Sequence, residues 1–157
     1  MDNQEDKIVL TGEEALEKFL SGKEEWNAYV EQYPEADVDF AVVDFSEFRP
    51  AGNEALSFAG YLFPKKGDVD FSYAMFGDGG VSFQGAMFGD GGVSFQGAMF
   101  GKGEVSFSDA TFGEGNVFFQ GAKFGYGYID FQGATFGEGD VNFNQAVFGE
   151  GDVNFSG

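Results

Sequence analysis

Beyond Phe71 the chain carries carboxylates on a recurring beat: Asp78, Asp90, Glu104, Asp109, Glu114, Asp130, Glu138, Asp140, Glu150 and Asp152, most of them beside a glycine. Three kinds of chemistry use such a series. Paired carboxylates do general acid–base work, but these pairs recur with the scaffold and none is set apart from the next. Oxygen ligands in Gly-Glu-Gly-Asp runs, as at 137–140, suit Ca²⁺, although the unit here is not the nine-residue repeat of calcium-binding β-rolls. The third use involves no reaction: negative charges at a regular pitch stand in for another polyanion. Composition narrows the choice. The chain has no histidine and no cysteine, which removes the commonest general base, the thiolate nucleophile and thiolate metal ligation. We therefore expect no enzyme, no metal and no cofactor, and read the acids as a binding surface.

What must position them is a twelve-residue unit, repeated seven times from Val69 to Gly157. One copy is Ala86-Met87-Phe88-Gly89-Asp90-Gly91-Gly92-Val93-Ser94-Phe95-Gln96-Gly97, and the pattern is A-x-F-G-x-G-x-V-x-F-x-x. Ala and Val each lie two residues before a phenylalanine, the period of a strand, so both members of a pair point to one face. One unit cannot bury that face alone, whereas stacked copies can. A coil made of one unit would crowd two rings, an Ala and a Val between two facing strands, and overpacking costs roughly 1–3 kcal/mol per site. A coil of two units surrounds four rings with four faces, such as Ala98 to Lys102 and Val105 to Asp109. Extra pairs such as Gly103-Glu104 then widen alternate corners, where glycine is expected to supply positive φ. The four-sided coil is the preferred reading.

At 157 residues the chain is one domain's worth, and its 22 phenylalanines fall on a register rather than in a disordered low-complexity tract. The formal charge of −19 argues against direct binding of nucleic acid or an anionic membrane, since both are polyanions. It also keeps stacked strands soluble by like-charge repulsion. The start, Met1 to Asp6, is acidic with no apolar h-region, and no run is as long as a membrane span, so a soluble cytoplasmic protein is expected.

Residues 1–36 lack the repeat and read as a helical cap; 37–157 read as the solenoid. Thr11 and Glu14 suggest a capping box opening a helix through Phe19 and Leu20, closed by Gly22. A second helix is expected over Glu24 to Gln32, ahead of Pro34. Such a cap would cover the upper edge of the first coil. Two insertions follow: Ser46 to Ala55, holding Arg49, Pro50 and Asn53, and Pro64 to Asp68, holding Lys65 and Lys66. Loops on a rigid scaffold are candidate partner contacts.

Five-residue faces with a small residue two before Phe or Leu resemble the pentapeptide-repeat family, and the lead-in from Glu24 through Tyr33-Pro34 into Asp39-Phe40 is similar to the helical preface of many bacterial members. The resemblance covers nearly the whole chain. It implies an all-β fold, a right-handed quadrilateral parallel β-helix, from which the regular two-residue expansion departs. The family's best understood members are acidic rods that resemble B-DNA and bind DNA gyrase in its place. By resemblance the expected function is a non-catalytic DNA mimic that inhibits a DNA-binding protein or complex, either a type II topoisomerase or a bacterial defence complex. The alternative is an interaction scaffold acting through its loops.

Charge density favours the mimic: with one duplex charge per about 1.7 Å and stacked strands advancing about 4.8 Å, a matching rod needs roughly three acids per coil, close to what the ten carboxylates supply. Outward positions carry further candidates. Met75, Met87 and Met99 suggest an adaptable contact patch, and Tyr126, Tyr128 and Phe118 a small sticky one. Val153 to Gly157 completes a face with nothing to blunt it, which suggests a homodimer through the C-terminal coil.

Overall fold

The alternation of Val-x-Phe and Ala-x-Phe segments becomes four ladders of parallel strands and bridges in a computed structural model that describes residues 7–48 and 55–157. The first valine ladder stacks Val9–Thr11, Asp37–Asp39, Val69–Asp70, Val93–Ser94, Val117–Phe118 and Val141–Asn142. The second runs from Leu56–Ser57 through Val81–Ser82, Val105–Ser106 and Ile129–Asp130 to Val153–Asn154. Two alanine ladders alternate with them. One links Asp44, Met75, Met99, Lys123 and Val147; the other links Leu62, Met87, Thr111 and Thr135. Val69 pairs with Val93, Val93 with Val117 and Val117 with Val141, so the chain regains its register after two units rather than one.

Inside the ladders the phenylalanines form four columns. Phe40-Phe71-Phe95-Phe119-Phe143 is one, with centroids 4.8 to 5.1 Å apart. Rings of neighbouring columns meet edge to face, as Phe83 and Phe95 do at 5.4 Å and 85°. Stacking along a column and T-shaped contact between columns both suit the ring quadrupole. Phe71, Phe83, Phe95 and Phe107 are fully buried. In the last coil the cover ends: Phe148 is 37% and Phe155 53% exposed.

The corners are of two kinds. Tight two-residue turns follow each Val-x-Phe segment, and positive φ is concentrated there, at Gly85, Gly97, Gly121 and Gly133 but also at Tyr73, Asp109 and Gln145. Wide corners follow each Ala-x-Phe segment. Positive φ was expected in these, and among their glycines only Gly77 and Gly80 have it. Most of the others are glycine for lack of room, though Gly92 is not crowded. A Cβ on Gly113 would stand 2.3 Å from the carbonyl oxygen of Gly89 one coil below, and one on Gly125 2.0 Å from that of Gly101.

The outward residue of each Val-x-Phe segment holds the tight turn that follows. Asp70 Oδ1 accepts from the backbone N–H of Ser72 at 2.7 Å, and Asn142 Oδ1 from that of Asn144 at 2.7 Å. Ser82, Ser94 and Ser106 do the same through Oγ at 3.2 Å. This local side-chain cap explains why the position is Asp, Ser or Asn in most units.

The N-terminal segment covers the first coil with a strand as well as helices. Val9–Thr11 pairs in register with Asp37–Asp39, extending the first valine ladder. Helix α1 (Gly12–Leu20) stacks Phe19 on Phe58 at 4.4 Å, and α2 (Lys23–Gln32) stacks Trp26 on Phe40 at 5.6 Å. Trp26 Nε1–H donates to the Leu62 carbonyl at 2.7 Å, and Asn27 Oδ1 accepts from the Leu62 N–H at 2.8 Å. These side chains replace the strand that would otherwise pair there. The expected capping box is not formed: Thr11 is the last residue of the strand and its side chain makes no cap hydrogen bond.

Candidate functional site

Eight of the ten carboxylates singled out in the sequence sit at wide corners, and the two corners differ. The acidic corner lies between the second alanine ladder and the first valine ladder. Asp90, Glu114 and Glu138 occupy one column in it, and Asp68, Asn116 and Asp140 lie in the next; from Asp68 upward it contains no lysine or arginine. The mixed corner lies between the first alanine ladder and the second valine ladder. Its columns read Asp78, Lys102, Tyr126, Glu150 and Gly80, Glu104, Tyr128, Asp152.

These acids are also parts of the scaffold. Asp90 Oδ1 accepts from the Glu114 N–H at 3.2 Å, and Asp78 Oδ1 from the Lys102 N–H at 3.2 Å. Asp68 Oδ1 accepts from the Gly92 N–H at 2.8 Å, and Asn116 supplies the same bond to Asp140 at 2.8 Å. Each bond joins one coil to the next, so a short oxygen acceptor at the corner tops up the ladder where strand pairing lapses. At Asp90 and Asp78 this bond uses Oδ1. All eight residues are solvent-exposed.

The other two acids lie elsewhere. Asp109 occupies a tight turn at φ 56°. Asp130 stands on the second valine ladder, half-buried, where its Oδ1 accepts from the Gln132 N–H at 2.8 Å and from Asn154 Nδ2 at 3.4 Å. Its Oδ1 thus serves the fold.

Lys65 and Lys66 are exposed at the foot of the acidic corner. Their segment is one residue longer than the regular corner: five residues separate Phe63 from Val69, against four between Phe88 and Val93. The Lys65 carbonyl accepts from the Asp90 N–H at 2.7 Å, while Lys66 Nζ reaches Glu35 at 3.6 Å. Arg49, Pro50 and Asn53 lie outside the described residues. Lys7, which sequence reasoning passed over, pairs with Asp37 at 2.8 Å. That hydrogen bond, helped by the nearby charges of Asp68 and Glu35 against a smaller burial cost, raises the lysine above its ordinary 10.5.

The apolar ladders divide differently from expectation. Met75 and Met99 share one alanine ladder and Met87 belongs to the other, because successive units occupy different sides of a two-unit coil. Tyr126 and Tyr128 stand at the mixed corner, whereas Phe118 lies on the first valine ladder. Neither trio forms one patch. Among the described residues no helix is long and apolar enough to cross a membrane, and none of their acidic residues cluster as a metal site.

Comparison with family models and with curated proteins finds no match to this chain.

Proposed function

We propose that the four ladders are the sides of one closed, right-handed quadrilateral β-helix of the pentapeptide-repeat kind, and that its acidic corner takes the place of a DNA strand on a DNA-handling protein. The observation that carries this reading is the unbroken run of acids at one corner. Asp90, Glu114, Glu138 and Asp140 put four charges on three successive coils. At about 4.8 Å per coil, and with one phosphate per about 3.4 Å of a single strand, roughly 1.4 charges per coil are required. The corner alone therefore has about the linear charge of one strand, and the mixed corner adds a weaker second line. The protein so read is a non-catalytic cytoplasmic inhibitor whose partner is a type II topoisomerase or a defence complex that grips DNA. It touches neither nucleic acid nor membrane itself.

Competition tests this. The chain should displace duplex DNA from a purified gyrase, with log affinity falling against log salt as phosphate contacts do. Changing Asp90, Glu114, Glu138 and Asp140 together to lysine should abolish displacement. Displacement that persists in that variant, or that ignores salt, overturns the reading in favour of recognition through the loops at Arg49 and Lys65-Lys66. The same proposal includes a homodimer in which a second copy covers Phe148 and Phe155. Light scattering should give twice the chain mass, and a monomer at micromolar concentration removes that part.

A further inference from the structure

A groove of about 470 Å³ opens beside the foot of the acidic corner. Helix α2 lends it Val30, Pro34 follows just beyond the helix, and the second alanine ladder lends it Leu62, Met87 and Thr111. Its remaining side is the corner itself, through Gly89, Asp90 and Gly113. Glu31 and Lys65 place one charge of each sign along it. Met87 is 53% exposed within this lining. Both its backbone groups are held to the coil beneath, the N–H donating to the Tyr61 carbonyl at 3.0 Å and the carbonyl accepting from the Phe63 N–H at 2.8 Å, so the side chain is not needed for the strand.

We propose that this groove receives one apolar side chain from a basic segment of the partner, seating that segment against the acidic corner. The inference rests on the mimic reading and deepens it. Two features on the same surface point to such an occupant. Chain running along Asp90, Glu114 and Glu138 must be cationic to be attracted, and the groove that opens onto Asp90 offers it an apolar site. Charge alone also leaves a mimic no better than the DNA it displaces. An apolar contact that a phosphate backbone does not provide gives the partner a reason to prefer the protein, and one that added salt does not screen.

Two short lysine-rich peptides, identical except for a central leucine or serine, test the groove against the full chain labelled at its methionine methyl groups. The leucine peptide should bind about tenfold more tightly, the worth of burying one such side chain. It should shift the Met87 methyl signal while Met75 and Met99, on a different ladder, stay in place. Met87→Gln should remove the tenfold preference and leave the serine peptide unaffected. Equal binding of the two peptides, or equal shifts at all three methionines, overturns the groove and leaves the acidic corner standing. Binding of neither peptide overturns both.

Discussion

The acidic and mixed corners share a backbone plan and differ in what they display. Both run glycine over glycine, with Gly115 above Gly91 in one and Gly127 above Gly103 in the other, each added Cβ meeting a carbonyl oxygen at 2.3 Å. Both hold a coil to the next through a short acid, Asp90 and Asp78 at 3.2 Å. The residue between the glycines is the one that varies, and there one corner repeats acids while the other passes through Lys102 and Tyr126. The repeated glycines thus belong to the scaffold, and on the proposed reading the acids that recur between them in one corner are where a partner would be met.

If the backbone is common to both, the glycines should matter equally. Gly115→Ala and Gly127→Ala should each cost about 3 kcal/mol, the upper range for forced overpacking, read as matched falls in denaturant midpoint. A large difference between them would break the equivalence. Function should part the corners instead. Lysine at Asp90, Glu114, Glu138 and Asp140 should abolish displacement of duplex DNA, whereas lysine at Asp78, Glu104, Glu150 and Asp152 should weaken it about tenfold and make it less sensitive to salt. Equal losses would mean that net charge, rather than one corner, is recognised.

A smaller effect sharpens the structural role. Asp90→Ala and Asp78→Ala should each lose about 1 kcal/mol, the usual worth of one hydrogen bond, whereas Asp90→Asn keeps an acceptor and should stay near zero. Asn116 already fills that role within the acidic corner. Thermal melts of the variants measure it.

The least effect concerns the foot of that corner, where the cap is attached. The Asp37 hydrogen bond raises Lys7, and burial raises Tyr61 and Tyr29, the latter with help from Tyr33 and Glu14. All three folded values lie above their unfolded ones of 10.5 or 10.0. Their contribution is therefore complete below pH 10.0 and is lost as pH rises through the folded values. Trp26 fluorescence should change on alkaline titration before the sheet signal in circular dichroism does, because these groups lie in the cap and first coil. Coincident transitions would contradict this.

The repeat made much of the fold legible. Alternation of Val-x-Phe and Ala-x-Phe fixes which rings turn inward, and the structure stacks those rings in columns. The helices over residues 12–20 and 23–32 could be read from Phe19, Trp26 and Pro34, but the strand Val9–Thr11 could not, since three residues become a strand only when Asp37–Asp39 offers them an edge. The turn-capping role of Asp70, Ser94 and Asn142 left a signal in the sequence, a Val-[Asp/Ser/Asn]-Phe habit that Phe118 breaks, yet its meaning depends on where the next N–H lies.

By itself the sequence determined a chain of short strands, its buried phenylalanines and the acids between its glycines, because these follow from local period and residue type. Between one unit per coil and two, which the sequence favoured without deciding, the tertiary structure chose two; that sends Met87 away from Met75 and Met99 and gathers Asp90, Glu114 and Glu138 at one corner. It also decided why most of the corner glycines are glycine. The need is contact with the carbonyl of the coil beneath, and such contacts, made between residues far apart in the chain, leave no trace in any single unit.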